Sequence, residues 1–244
     1  MRPMLDLRQL LDTRGGTVLT VLALASGIGA ALLSAFLQPV FTDGAPVLLY
    51  GTLVVMALPL GIALPVLGSV MVASDWSSSS IQTTFLQRPR RGAVLASKLL
   101  AALILGAVVI AAGLLASIAA TAAAGAVTGA GADYSQAGTT ILAQIMYLLG
   151  TLAFGTAMGT LLQSTPLALV ASLAVPFAVT VAGGLTMLLD SELVTRLIAV
   201  LDLSQATAAI ADGSVRPENV GAVALLVLAP LVAGTLRWNR REIG

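Results

Sequence analysis

The chain has 244 residues, 58% of them hydrophobic and only 9% charged, with a net charge of +1. Soluble domains carry roughly 25% charged residues, so a mean hydropathy of +1.00 excludes a water-covered globule and reads as an all-α integral membrane protein. Cys and His are both missing, which excludes disulfides, thiol chemistry, imidazole bases and soft metal sites.

Met1–Arg14 sets Leu5, Leu7, Leu10 and Leu11 among Asp6, Arg8, Asp12 and Arg14. That pattern lacks the continuous apolar core of a cleavable signal peptide. It predicts an N-terminal interfacial amphipathic helix, with a frayed tail as the plainer alternative. A spanning helix needs about 20 mostly apolar residues. Six stretches meet that need: Thr17–Gln38, Val47–Ala73, Ala93–Ala123, Thr139–Gln163, Pro166–Leu189 and Val220–Leu236. The second and third are longer than a bilayer requires, so they tilt or project beyond it. Pro59 and Pro65 in the second, Pro176 in the fifth and Pro230 in the sixth mark bends. Gly155 and Gly159 form a small-xxx-small pair suited to close helix approach.

Between the spans, Asp43 marks one short connection, and Thr128–Ala137 reads as a flexible loop. Asp190–Asn219 is longer and patterned. Ser191 is placed to cap a helix with Glu192 in its first turn, and Leu193, Leu197 and Leu201 recur at helical spacing until Asp212-Gly213. One or two short helices follow, either dipping into the outer leaflet or lying over the bundle. No internal repeat is evident, and residues 1–244 read as a single transmembrane domain.

Charge sets the orientation. Arg2, Arg8 and Arg14, then Arg88, Arg90, Arg91 and Lys98, then Arg237, Arg240 and Arg241 all fall on one face, leaving only Arg196 and Arg216 opposite. The positive-inside rule makes the first face cytoplasmic, so both termini are expected inside. Within the spans the sequence shows no buried ionisable group, and Lys98 is close enough to its helix end to snorkel. Ion-coupled transporters normally bury such a group, and a serine nucleophile needs a base. Both classes are disfavoured.

The polar segment Asp75–Lys98 interrupts this apolar chain with Arg88, Arg90, Arg91 and Lys98. Ile81 and Phe85 share one helical face, Ser77–Ser80 offer capping hydroxyls, and Pro89 ends the run. A short amphipathic helix across the ends of the second and third spans is expected. Its cations serve either as topology determinants or as contacts to an acidic partner surface.

In its residue order, this segment resembles the cytoplasmic loop of ATP-binding-cassette type-2 permeases, in the version common in actinobacteria. Asp75 stands for the usual Glu, Trp76 for the aromatic, and Ser79-Ser80 for Gly-Thr; Ile81, Thr83-Thr84, Phe85, Pro89-Arg90-Arg91 and Lys98 follow in order. The resemblance covers about a tenth of the chain. It implies that this loop is a coupling helix receiving movement from a separate ATPase subunit. Asp75, Trp76, Ser79, Ser80, Ile81, Thr84, Phe85, Arg88, Arg90 and Arg91 would form the contact. It also implies a homodimer or close heterodimer of permeases. The dominance of Arg over Lys and the heavy use of Ala suggest a GC-rich bacterial genome and hence a bacterial inner membrane, with membrane lipid as a partner and no nucleic acid expected.

The chain has no Gly-x-x-x-x-Gly-Lys-Ser/Thr motif, so this chain is not read as an enzyme, and ATP and Mg would reside on the partner. The second and fifth spans would line the path. Met56, Pro59, Phe177 and Met187 are candidate lining residues by depth and chemistry, with plain packing the alternative. The expected function is export of a hydrophobic or amphiphilic substrate such as a drug-like metabolite, peptide or lipid. An ion-coupled secondary transporter and a non-transporting membrane scaffold are the rival readings.

Overall fold

The computed structural model describes residues 3–77, 91–189 and 192–240. Among them, six helical segments are long and apolar enough to cross a membrane. The chain is a multi-pass helical membrane protein. Helix α1 (Pro3–Leu11) precedes α2 (Arg14–Phe41), α3 (Leu49–Ser77), α4 (Arg91–Thr128), α5 (Ala137–Leu162) and α6 (Thr165–Leu189). Two short helices follow, α7 (Glu192–Ala199) and α8 (Leu203–Asp212). The last crossing segment joins α9 (Pro217–Val223) to α10 (Ala229–Arg240) through a π turn at Ala224–Leu228.

Helix α2 packs small side chains inward and large ones outward. It buries Ala23, Gly27, Ala31 and Ala35, one per turn, while Val18, Leu22, Leu33 and Val40 are exposed. Lipid is as apolar as leucine, so no hydrophobic force drives helices together within it. Close backbone approach and its van der Waals contact do that work. A Cβ on Gly27 would come within 2.9 Å of Leu60 on α3.

Helix α3 is the axis of the bundle. Half of its most apolar window is buried, against 11% for α6. Leu53, Met56, Leu60 and Leu64 are fully enclosed. The Gly155–Gly159 pair lies where α5 crosses α3. A Cβ on Gly155 would collide with the Pro65 backbone, and one on Gly159 would reach 2.8 Å from the Ser69 carbonyl oxygen. Helix α4 has 38 residues, roughly 57 Å at 1.5 Å per residue, so it projects past a hydrocarbon core about 30 Å thick.

Both described chain ends lie at one end of the bundle, where α1 meets α4 and α10 meets the start of α4. We call this the terminal face. At the far face the expectation of purely helical structure needs a small correction. Val47 and Leu48 pair in parallel with Ala132 and Asp133, forming β1 and β2, so α3 begins at Leu49. The connection after α4 is built rather than loose. Gly129 and Gly131 take positive φ, Gly131 N–H donates to the Gly125 carbonyl, and the Asp133 carboxylate accepts from Ser135 N–H at 2.7 Å. Gln38 completes the clip, donating to Thr52 Oγ1 at 3.0 Å and accepting from Leu48 N–H at 2.9 Å.

The excursion before the last crossing is a bent pair. Helices α7 and α8 meet at 79°, and α8 packs on α5, with Thr207 against Gly150 and Leu203 beside Phe154. It therefore reaches down beside α5 instead of capping the bundle.

The glycine crossing is testable. Gly155→Leu must displace the Pro65 backbone and should cost roughly 1–3 kcal/mol or more. Gly29→Ala, in open space, should be neutral or slightly stabilising. Thermal melting of both purified variants in mild detergent checks this, and equal melting temperatures would count against the α3–α5 crossing.

Candidate functional site at the terminal face

Helix α3 ends in Asp75-Trp76-Ser77 and α4 begins at Arg91, so these residues flank the polar segment. Each is held by a different neighbour. Asp75 forms an ion pair with Lys98 of α4 at 2.9 Å, and both side chains are 3% exposed. Asp75 Oδ1 also accepts from Gln9 Nε2 of α1 at 3.1 Å, and Lys98 Nζ donates to the Met71 carbonyl at 3.4 Å. A second buried carboxylate, Asp6 of α1, accepts from the Ser97 hydroxyl. Charges taken out of water are tolerated only when paired and hydrogen-bonded, and here that requirement locks three helices together. A cavity of about 170 Å³, lined in part by Gln9, Ser74, Asp75 and Lys98, lies beside the pair.

Trp76 reaches the C-terminal helix. Its ring meets Trp238 edge to face, with centroids 5.1 Å apart at 84°, a favoured aromatic geometry. Trp238 is fully buried and its indole N–H donates to the Arg91 carbonyl at 3.2 Å. Arg91 in turn donates to the Asn239 carbonyl at 3.3 Å, and Arg237 to the Leu161 carbonyl of α5 at 3.1 Å. Ser77 binds α6: its hydroxyl donates to Thr165 Oγ1 at 2.9 Å and accepts Thr165 N–H at 2.8 Å. The latter bond satisfies one of the orphan donors at a helix N-terminus.

The residues flanking 78–90 are thus tied to α1, α4, α6 and α10 at once. Of the residues expected to contact a partner, the structure places Asp75, Trp76 and Arg91 in this knot, in contacts within the chain. Ser79, Ser80, Ile81, Thr84, Phe85, Arg88 and Arg90 lie outside the described residues.

The structure places three of the four expected path residues in different surroundings. Met56 is fully enclosed, its sulfur facing Gly113, whereas Phe177 is 71% exposed on α6. Pro59 is half-buried on α3 and Met187 belongs to α6, its side chain outside the described set.

The expectation that Lys98 snorkels to the surface does not hold, since it is buried and paired. Asp6, Gln9, Ser97, Thr165 and Trp238 had not been singled out. A usable signal did exist for Asp6, which shares a helical face with Leu10, the two buried residues of α1. The chain matches no protein-family model, no curated protein and no solved structure.

The pair predicts a double-mutant cycle. Lys98→Met leaves Asp75 buried without its cation and should cost about 3–5 kcal/mol, as should Asp75→Leu in the opposite sense. The double variant Asp75→Leu with Lys98→Met should recover most of that loss in detergent unfolding. Additive losses would show that the two charges act independently.

Proposed function

We propose that this chain is the membrane-spanning permease subunit of an ATP-driven exporter, powered by a separate nucleotide-binding subunit that docks on the segment between α3 and α4. One observation carries this reading. Every described residue bordering that segment is wired into the bundle through buried or capped contacts, so force applied to residues 78–90 reaches four helices. A loop that only set topology needs positive charge and nothing more. The sequence resemblance to type-2 permeases supplies the partner class, and the six apolar helices and the shared face of both chain ends fit that outline.

In this mechanism, two copies pack in a bacterial inner membrane with the terminal face toward the cytoplasm. ATP and Mg bind the partner, whose closure pushes on the segment. Trp76 passes the push to α10 and Ser77 passes it to α6. Helix α6 is the least enclosed of the crossing segments, burying 11% of its apolar window, while α10 is close-packed on α5 at Gly234. Pro176 in α6 and the π turn before α10 are where they bend. Helices α2 to α5 serve as the fixed frame. The substrate is a hydrophobic or amphiphilic molecule moved outward.

The ion-coupled reading gains one observation, because Asp202 lines a cavity inside the bundle. A single experiment separates the two. From membranes expressing the tagged chain, an ATPase carrying the phosphate-binding motif should co-purify with the wild type. Recovery should fall at least tenfold with Phe85→Asp plus Arg90→Ala. Substrate efflux should stop when ATP is depleted and survive collapse of the proton gradient. The reverse pattern of efflux would establish ion coupling instead.

A further inference from the structure

A cavity of about 110 Å³ lies inside the bundle, bounded by α3, α5, α6, the π turn and the bend between α7 and α8. Its depth follows from helix length. Tyr147 stands ten residues from one end of α5 and fifteen from the other, roughly 15 Å and 23 Å at 1.5 Å per residue. Gly61 and Pro176 are likewise near the middle of α3 and α6.

Three of the segments around this cavity, α3, α6 and the last crossing segment, are irregular there. Pro65 deprives the Gly61 carbonyl of its helical partner, and Gly61 and Pro65 both line the space. Pro176 lines it from α6, and Leu226 lines it from the π turn. Non-helical backbone at membrane depth is tolerated only inside protein or around a cavity, and π turns concentrate at functional sites. The glycine has a further role: the Tyr147 hydroxyl stands 2.5 Å from where a Cβ on Gly61 would sit. Only glycine admits the ring.

The polar groups are of one kind. Asp202 is half-buried on the cavity wall, which Tyr147 also lines. Thr151, Thr180 and Ser204 bring hydroxyls. No lining residue is cationic. Arg196 and Arg216 surround a separate cleft with Asp212 and Glu218. Asp202 also caps α8, accepting from Gln205 N–H at 3.0 Å, a role that a neutral Asn fills equally well. Capping therefore explains an oxygen at this position but not a charge. An ionisable group at this depth marks a functional site by default.

We propose that this cavity is a subsite for the cationic head of an amphiphile, paired with the Asp202 carboxylate while its apolar tail lies along α6. This deepens the exporter reading by naming its substrate class, and rests on that reading for the direction of transport. The volume suits a small ammonium group and not a whole drug-sized molecule. Leu201, Pro176 and Thr180 are exposed at its rim, so the tail leaves sideways across the surface of α6.

The test is saturable binding of radiolabelled dodecyltrimethylammonium to the purified full chain in maltoside micelles. Dodecanol, dodecyl sulfate and zwitterionic dodecylphosphocholine serve as chain-matched competitors. The expected result is that the cation binds, the neutral and anionic chains compete poorly, and Asp202→Asn weakens cation binding at least tenfold with unchanged melting temperature. Asp202→Glu should retain most of the binding. Equal competition by dodecylphosphocholine would make the site a lipid headgroup site and overturn the proposal, as would equal binding by wild type and Asp202→Asn. If Asp202→Asn fails to fold, Gly61→Ala, which displaces Tyr147, must weaken cation binding, and undiminished binding then refutes the subsite. Because the assay needs no ATPase, cation binding without a co-purifying ATPase would sink the exporter reading alone. An ATPase without cation binding would sink the subsite alone.

Discussion

The Asp75–Lys98 ion pair governs the terminal face. Burying two charges at 3% exposure is unfavourable unless each finds further partners, and those partners come from elsewhere in the chain. Gln9 serves the carboxylate and the Met71 carbonyl serves the ammonium. Helix α1 has only nine residues, too few to persist alone in water, so its place depends on Gln9 and on Asp6 bound to Ser97. Once α1, α3 and α4 are in register, Trp76 and Ser77 are aimed at α10 and α6.

The bundle divides into a stiff part and a compliant part for a physical reason. Helices α2 and α5 meet α3 through glycine and alanine, so tightly that an added Cβ on Gly27 would run into the Leu60 side chain and one on Gly155 into the Pro65 backbone. Helix α6 encloses only 11% of its apolar window and leaves Phe177 outward, whereas α10 lies so close to α5 that a Cβ on Gly234 would come within 2.6 Å of the Leu161 nitrogen. Packed cores switch between discrete arrangements more readily than they deform, so motion belongs to the part with few close contacts. The Ser77–Thr165 contact bridges the two parts.

The crossing helices were legible because 20 apolar residues in a row carry one strong signal. The ends were less so, since Val47 looked like the start of a span and proves to pair with Ala132. Composition alone made the membrane interior seem free of charge, and two positions depart from that. Lys98 sits seven residues into α4, where reach to the surface and pairing with Asp75 read alike until the two helices are placed side by side. Asp202 follows a leucine pattern that fits a helix resting on the bundle as well as one entering it; only the contacts of Leu203 and Thr207 with α5 separate the two. The knot around Trp238 joins residues 147 positions apart, a contact that no local spacing announces.

That same separation has a consequence for assembly. At a ribosome speed of 5–20 residues per second, the 147 positions between Arg91 and Trp238 take roughly 7 to 30 s to synthesise. Once Thr128 has been made, α3 and α4 are both long enough to insert, with Asp75 and Lys98 able to find each other. Trp76 and the Arg91 carbonyl have no indole to meet. The nascent chain thus holds an unfinished joint that only synthesis past Trp238 can close.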